Sequence, residues 1–416
     1  MSASQLVLFG VFGTGNLGND SSLEAMLAHI RKHQPSANIT CVCGDPKFVR
    51  ERYGIETLPF DIAVTDYSQQ PASRIVRIAS WATKRGVAEV NFWLSQTRWL
   101  RQIDQFIVVG TGVLDDFGVS PWNLPYDLFK WCAAAKRAGT KVVFVSVGVG
   151  PIENRVSRAL MLGALRQAMY RSYRDVVSTA YLRSVGFDTG TDPVFPDLVF
   201  SLPQGNADAF PAATTPPRTI GLGVMGYYGW RNDPASGDAI YEAYLAKLKR
   251  FLCCLLEQGF AVRLLTGEVP TDQRPVDELL AFVQAEGRTD WQARLFAEPI
   301  ADVDDLLQQI ASTDLVVATR FHNVLCALML GRPVVSIGYS KKNDALLAEM
   351  GLQDYCQHVE HFDVDRLVLQ VQALAGVHEV AVLRIRHTCG GYRRRLDEQY
   401  EKILGAGPGA EANGMN

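Results

Sequence analysis

The stretch DLVVATRFHNVLCALMLGRPVVSIGYSKKN, residues 314–343, predicts a strand, a helix and a second strand in succession. Residues 315–318 are continuously apolar, as a parallel strand covered on both faces requires. Apolar residues then recur at near-helical spacing until the Gly-Arg-Pro at 331–333, after which residues 334–337 begin another buried strand. In open parallel sheets, anions bind at helix N-termini beside the carboxyl ends of strands. The unit therefore predicts an anion site at Arg320 and His322.

Strand and helix patterns alternate along the whole chain, which predicts an α/β protein with parallel sheets. Proline, glycine and small residues at 204–217 interrupt the pattern and indicate a linker. We expect two doubly wound, Rossmann-like domains, residues 1–203 and 218–380, facing a cleft between their sheet edges. A helix at 381–404 is expected to pack back on the first domain, and residues 405–416 to form a disordered tail. The other predicted strands are residues 6–12, 39–43, 106–109, 141–147, 219–224 and 261–265.

Composition limits the class of protein. The 416 residues are 48% hydrophobic and 20% charged, as in a globular protein, and the net charge of −3 gives no general attraction to nucleic acid. Eight cysteines form no CxxC pair, and we expect buried free thiols in a reducing cytosol. The N-terminus lacks a signal-peptide pattern, and no apolar run approaches the roughly 18 residues of a membrane span. We therefore expect a cytoplasmic protein.

A local excess of positive charge distinguishes residues 66–104 from the rest of the chain. The aromatic and basic character of the segment fits helices, although its periodicity is poor. We predict a surface helical insertion whose basic residues, within 74–101, face an acidic or membrane-held partner at the inner membrane face. The basic residues are Arg74, Arg77, Lys84, Arg85, Arg98 and Arg101.

A glycine loop follows the first predicted strand. Residues 13–18, GTGNLG, match the GxGxxG pattern between a strand and a helix, and Asp45 could serve as the ribose-binding acid of a dinucleotide site. The polar residues that follow, at 19–22, fit that site poorly and could instead cap the helix. Three interpretations stay open at this point: a substrate loop, a helix cap and a dinucleotide site.

Taken together, the two loops resemble the polysaccharide pyruvyl transferase family. Its members carry a Gly-x-x-Asn-x-Gly-Asp-Glu type loop, an Arg-x-His before a helix, a Gly-x-Pro strand start and a Tyr-x-x-Lys type end. The matching residues are Gly13 to Asp20, Arg320-Phe321-His322, Gly331-Arg332-Pro333 and Tyr339-Ser340-Lys341-Lys342, with weaker matches at Gly110-Thr111-Gly112, Gly148-Val149-Gly150-Pro151 and Ser172-Tyr173-Arg174-Asp175. Two departures, Asn19-Asp20-Ser21 for the usual Asp-Glu and Gly110-Thr111-Gly112 for a triple glycine, both lie in the first half.

The resemblance implies transfer of a pyruvyl group from phosphoenolpyruvate to two hydroxyls of a sugar, with release of phosphate. It also implies an architecture similar to that of GT-B glycosyltransferases, with the acceptor side in the first domain and the donor side in the second. The acceptor would be a saccharide, nucleotide- or lipid-linked or an oligosaccharide. No cofactor or metal is expected, and the seven histidines show no ligand spacing.

The resemblance and the residue chemistry assign roles to particular side chains. Arginine suits the phosphate and carboxylate of the donor, and a histidine titrating near neutrality suits protonation of the methylene carbon. We therefore predict His322 as the general acid. The predicted donor-binding residues are Arg320, Phe321, Arg174, Tyr339 and Lys341. The predicted loop and acceptor residues are Gly13, Asn16, Gly18, Asp20, Gly110 and Gly112.

Each assignment has a structural alternative. His322 could be a helix cap or a core histidine, Arg320 and Arg174 could be partners in structural ion pairs, and Lys341 could be solvated. Three other functions also stay open: a nucleotide-sugar glycosyltransferase of the same architecture, a dinucleotide-dependent oxidoreductase, and a family member that binds a glycan without catalysis.

Overall fold

The computed structural model describes residues 3–60, 74–203, 217–229 and 234–405, except for the side chains of residues 74–85 and 234–235. Most of the predicted linker, at 204–216, and most of the predicted tail, at 406–416, lie outside the described residues, as does the start of the predicted insertion at 66–73. The chain divides into two units: Met1–Thr14, His29–Phe195 and Leu404–Asn416 form unit 1, and Gly15–Ala28 and Pro196–Ile403 form unit 2. The domain boundaries proposed from the sequence stay a prediction.

Unit 1 is built on a six-stranded parallel sheet in the order β3-β2-β1-β4-β5-β6. Its strands are β1 Gln5–Phe9, β2 Asn38–Cys43, β3 Glu56–Pro59, β4 Gln105–Val109, β5 Lys141–Val147 and β6 Tyr170–Tyr173. Helices of the first half are α1 Leu17–His33, α2 Pro46–Tyr53, α3 Arg74–Leu100, α4 Leu124–Ala138, α5 Arg155–Gln167 and α6 Val176–Ser184, with α1 divided between the units. The order is that of a Rossmann fold, with its switch point between β1 and β4.

Unit 2 repeats this arrangement with a sheet in the order β9-β8-β7-β10-β11-β12, again parallel throughout. The strands are β7 Thr219–Gly223, β8 Ala261–Leu265, β9 Leu295–Phe296, β10 Leu315–Ala318, β11 Val334–Gly338 and β12 Cys356–His358. Its helices are α7 Pro234–Glu257, α8 Val269–Ala285, α9 Thr289–Gln292, α10 Val303–Ala311, α11 Phe321–Met329, α12 Lys341–Glu349, α13 Val364–Gly376 and α14 His378–Leu404. Short 3-10 helices lie at Leu198–Ser201 and Gln353–Tyr355.

The sheet of unit 2 fixes the position of the candidate site. Central strands β7 and β10 pair at the switch point, and both are buried because helices cover the two faces of the sheet. The segments that follow β7, β8, β10 and β11 therefore emerge at the same carboxyl edge. That edge is where an open α/β sheet binds its ligands.

The predicted fold class, two doubly wound parallel sheets, is confirmed. Strands β5, β8 and β10 have the predicted bounds because each is a short, mainly apolar and largely buried segment of a parallel sheet. The first strand is shorter than predicted and ends at Phe9, since the backbone turns at Gly10 and the ring of Phe12 folds back against it. Strands β3, β6, β9 and β12 were not predicted, because short strands toward the sheet edges lack the long apolar run that marks the central ones.

Among the described helices, none is by itself both long and apolar enough to cross a membrane, although α13 and α14, which meet at an 81° bend, reach the required length and composition as a pair.

Candidate active site

The glycine loop is split between the two units, and its second half joins the sheet edge of unit 2. Gly15 has a φ of 84°, a left-handed conformation that disfavours side chains, and this turn brings the following residues beside the segment after β8. The backbone N–H of Leu17 donates to the carbonyl of Gly267 at 3.1 Å, and that of Val269 donates to the carbonyl of Gly15 at 3.1 Å. Asn16 and Glu268 form an antiparallel bridge. The loop is therefore fixed to the carboxyl end of β8.

His322 lies directly against the first turn of α1. A Cβ atom added at Gly18 would stand 2.0 Å from Cγ of His322, so the imidazole occupies the space that any other residue at position 18 would fill. The ring of Phe321 meets the imidazole edge to face, with the ring centroids 5.4 Å apart. The structure thus brings together the loop glycine and the histidine that the sequence placed in separate motifs.

The side chain of Asn16 caps the helix that follows it, α1. Its side-chain oxygen accepts a hydrogen bond from the backbone N–H of Asn19 at 3.3 Å, which is the geometry of an N-cap. Asp20 is buried in the first turn of α1. Asn16 therefore caps α1, and the loop that contains it also contacts the candidate site.

Arg320 is held by two carboxylates. Its Nη2 lies 2.6 Å from Oδ1 of Asp272, its Nε lies 3.0 Å from Oδ2 of the same residue, and its Nη1 lies 2.7 Å from Oε2 of Glu268. Burial acts to lower the pKa of Arg320, but the charges of Asp272 and Glu268 outweigh it, and the pKa is raised above its ordinary value. Arg320 is therefore a charged member of an ion-pair network, as its structural alternative supposed.

Asp272 organises this network. Its carboxylate is fully buried and accepts backbone hydrogen bonds at 2.9–3.0 Å from Gly226, Gly267 and Glu268, in addition to those from Arg320. A buried carboxylate needs such partners, and here it ties the segments after β7, β8 and β10 together. The side chain of Glu268 is 32% exposed, so the outer member of the network is accessible to a ligand. Sequence analysis missed both acids, although their position just after a buried strand is a signal that could have found them.

The side-chain amide of Asn323 is buried at the carboxyl edge of the unit 2 sheet. Asn323, in the first turn of α11, is fully buried, and neither its side-chain oxygen nor its nitrogen has a hydrogen-bond partner among the described residues. It is enclosed by glycines: an added Cβ would lie 2.7 Å from its oxygen at Gly267 and 2.9 Å from its nitrogen at Gly223. An unpaired amide of this kind costs about 1–3 kcal/mol, which makes Asn323 a candidate ligand-binding group. Asn323 was not among the predicted site residues.

Two further predicted donor residues follow β11. Tyr339 is half-buried and lies near enough to Arg320 to contribute, after the two acids, to the rise in its pKa. Lys341 is exposed as the first residue of α12, a helix capped by Ser340, whose hydroxyl accepts from the N–H of Lys342. The structure therefore places Tyr339 close to Arg320 and leaves Lys341 at a helix start.

The remaining predicted site residues belong to unit 1. Arg174 is 93% buried in its side chain, with Nε 3.6 Å from Oδ2 of Asp175. Gly110 and Gly112 follow β4, and the N–H of Gly148 donates to the carbonyl of Thr111 between them at 3.0 Å. These residues form a second sheet edge that is equivalent in topology to the one in unit 2.

Asp45, the acid that would support a dinucleotide site, caps a helix in the structure. Oδ1 of Asp45 accepts hydrogen bonds from the backbone N–H groups of Lys47 and Phe48, both at 3.0 Å, and thereby caps α2. Gly13 packs beside Asp45, where an added Cβ would stand 3.0 Å from its carbonyl oxygen. The carboxylate thus has a complete structural role as a helix cap.

Among the residues that the structure describes, one group has the donor atoms for a metal ion. His358, Glu360 and His361 are exposed at the end of β12, with their ligand atoms within 4.8 Å of one another. The hydroxyl of Tyr227 donates to the Glu360 carboxylate at 2.6 Å, and the N–H of Glu360 donates to Nδ1 of His358. The cluster lies outside the predicted site residues.

Solved structures define the class of fold. UDP-GlcNAc 2-epimerase from Methanocaldococcus jannaschii superposes with a TM-score of 0.57 at 10% identity, covering 89% of this chain and 92% of that one. The same enzyme from Neisseria meningitidis, bound to UDP-GlcNAc, gives 0.57 at 12% identity over 96% and 100% of the two chains, and a glycosyltransferase from Rickettsia africae ESF-5 gives 0.57 at 11% over 97% and 99%. The chain therefore has the GT-B architecture of glycosyltransferases and epimerases.

The family is defined by sequence. The profile of the family described as polysaccharide pyruvyl transferase matches residues 16–341, which include the Asn16 loop, Arg320, His322 and Lys341. The chain belongs to the polysaccharide pyruvyl transferase family and is thus a transferase of polysaccharide biosynthesis. No curated protein matches the chain in sequence.

Proposed function

We propose that this protein transfers the pyruvyl group of phosphoenolpyruvate to two hydroxyls of a saccharide, forming a cyclic ketal in an exopolysaccharide or cell-envelope precursor. Membership of the family supports the reaction class. The observation that carries the proposal within the chain is the contact of His322 with the Gly18 loop, beside Arg320 and the N-terminus of α11. An acid, a cation and a helix N-terminus at one sheet edge suit a small anionic donor.

The chemistry needs a proton donor and a proton acceptor. The methylene carbon of the donor gains a proton, two C–O bonds form from the acceptor hydroxyls to the central carbon, and the bond from that carbon to the phosphate oxygen breaks. The hydroxyls release two protons, one of which replaces the proton given to the methylene while the other leaves with phosphate. We assign the donation to His322 and the first hydroxyl deprotonation to Glu268, whose partly exposed carboxylate flanks the same loop.

Arg320 would bind the donor through an exchange of partners. Asp272 holds its Nε and Nη2, while Nη1 is paired with the outer acid, Glu268. When the donor phosphate or carboxylate takes the place of Glu268 on Nη1, Arg320 keeps its orientation and Glu268 is released toward an acceptor hydroxyl. Tyr339, Lys341 and the amide of Phe321 are the further donor contacts in this proposal.

The acceptor side is proposed for unit 1, where Gly110 and Gly112 follow β4. Arg174, also in unit 1, is proposed as a further anion-binding residue. The acceptor would be a saccharide linked to a nucleotide, a lipid or a polymer. We further propose a cytoplasmic location at the inner membrane face, because the basic residues within 74–101 suit an anionic membrane surface.

Phosphate release from phosphoenolpyruvate tests the reaction. The purified chain should release phosphate only when a saccharide acceptor with two neighbouring hydroxyls is present, and mass spectrometry should detect the ketal product. His322→Ala should lower turnover by about 10²- to 10⁴-fold while donor binding, measured by calorimetry, is retained. Arg320→Ala should weaken donor binding instead. His387→Ala, which removes an exposed histidine of α14, is the matched control and should change neither.

Ketal formation by His322→Ala at the wild-type rate would contradict the acid role. Phosphate release that did not depend on any saccharide would contradict the transfer itself.

A second candidate is a nucleotide-sugar glycosyltransferase, favoured by the GT-B fold shared with the Rickettsia africae glycosyltransferase. In that case Arg320 and Lys341 would hold a diphosphate. A thermal shift with a nucleoside diphosphate sugar, together with no phosphate release from phosphoenolpyruvate, would favour this candidate.

A further inference from the structure

The outward face of α3 carries an exposed apolar stripe. Val87, Val90 and Leu94 are 56%, 58% and 68% exposed, and their spacing of three and four residues places them on one side of the helix. Arg98 is exposed further along the same side, and Arg101 is exposed one residue past the end of the helix. We call these five residues the α3 face. Three large apolar side chains in a row on one exposed helix face mark an interaction surface.

The opposite face of α3 fixes the helix in unit 1. The ring of Phe92 meets Trp131 of α4 edge to face, with the centroids 5.0 Å apart, and the carboxylate of Glu89 accepts from the hydroxyl of Tyr126 at 3.0 Å. Trp122 is 59% exposed and its ring lies 6.1 Å from that of Tyr126. The α3 face thus points outward from an anchored helix, and an exposed tryptophan lies next to the same anchor.

Charge indicates what covers this surface. Between residues 74 and 101 the sequence has six basic residues and a single acid, Glu89, a net of +5, whereas the whole chain has a net charge of −3. Glu89 is itself paired, with Nζ of Lys130 3.5 Å from its carboxylate. Apolar residues beside a basic cluster are the composition of helices that lie in the interface of anionic membranes, and tryptophan prefers that interface.

We infer that the α3 face binds the surface of an anionic lipid bilayer, with Val87, Val90 and Leu94 entering the headgroup boundary and Arg98 and Arg101 contacting lipid phosphates. The inference stands apart from the pyruvyl-transfer chemistry, since no residue of the α3 face belongs to the candidate active site. Its failure and that of the proposed function are therefore distinguishable.

Vesicle sedimentation of the full-length protein tests the inference. Vesicles of phosphatidylglycerol mixed with phosphatidylcholine should bind the chain at least tenfold more tightly than vesicles of phosphatidylcholine alone, and binding should fall as salt rises. Leu94→Asp should lower binding to the anionic vesicles by at least tenfold, and replacing Arg98 and Arg101 by Gln should lower it several-fold. Thermal unfolding of each variant should match that of the unsubstituted chain.

Leu383→Asp is the matched control, because Leu383 of α14 is also 68% exposed and lies on a helix of unit 2. It should leave vesicle binding unchanged. Equal loss in the two leucine variants, equal binding to neutral vesicles, or no binding at all would overturn the inference. A change of oligomeric state in Leu94→Asp without vesicles would overturn it as well, because a second copy of the chain would then cover the α3 face.

Discussion

Gly18 and His322 are in contact across the candidate site, with only a hydrogen atom's space between the backbone of α1 and the imidazole: a Cβ at position 18 would stand 2.0 Å from Cγ of His322. Because heavy atoms cannot approach so closely, a side chain at this position must displace the imidazole. The contact brings the loop motif and the Arg-Phe-His motif together at the candidate site.

Gly18→Ala should therefore lower turnover by about 100-fold, since a displacement of about 1 Å in a catalytic group has an effect of that size. Phosphate release from phosphoenolpyruvate measures the loss. Gly391→Ala is the control, because it also replaces a helical glycine but has no atom nearer than 3.9 Å to the added carbon. Equal turnover in the two variants would show that the position of His322 does not depend on Gly18.

Asp272→Asn should destabilise the fold by about 3–5 kcal/mol, since it removes a buried negative charge from Arg320 and leaves that cation incompletely paired. Urea unfolding measures the free energy. Asp365→Asn breaks the exposed ion pair with Arg250 and should have no measurable effect. Equal stability of the Asp272 variant and the wild type would show that Glu268 alone compensates the charge of Arg320.

Glu268→Gln should separate binding from turnover. Removing the carboxylate from Nη1 of Arg320 frees the guanidinium for the donor, so the Kd for phosphoenolpyruvate should fall several-fold while turnover falls at least tenfold. Calorimetry and phosphate release give the two quantities. Glu278→Gln, in the helix that Glu268 precedes, is the control because Glu278 pairs with Arg274 on the surface. Weaker donor binding in Glu268→Gln would contradict the exchange of partners on Arg320.

Asn323→Leu should raise the stability of the fold by about 1 kcal/mol, since it replaces a buried amide that has no hydrogen-bond partner among the described residues with an apolar group of similar shape. Turnover or donor binding should fall if the amide is kept for a ligand. Asn343→Leu is the contrast: Asn343 is also fully buried, but its Nδ2 donates to Oγ of Ser336 at 3.0 Å, so its replacement should destabilise. Destabilisation by both substitutions would show that Asn323 has a structural partner.

Strong local patterns made parts of this molecule predictable from sequence. Strands β5, β8 and β10 could be predicted residue for residue, and the start of α11 at Phe321 followed from the end of β10. The positions of Arg320 and His322 at the strand end followed from the same pattern, because a buried parallel strand and the helix after it are encoded within about a dozen neighbouring residues.

The partners of Arg320 could not be predicted in this way. Asp272 is 48 residues distant in sequence and follows a different strand, so only the pairing of β7 with β8 and β10 brings its carboxylate to the guanidinium. No periodic pattern of apolar residues in the sequence indicates such a contact between distant side chains.

By itself, then, the sequence determined the α/β class, the central strands and the identity of the family's motif residues, because burial and hydrogen bonding within each strand–helix unit are local. The tertiary structure alone decided that Arg320 is shared by two acids, that Asn323 is buried without a partner among the described residues, and that Gly18 contacts His322. These relationships join loops that follow different strands, and they exist only once the parallel sheet has brought the strand ends to one edge.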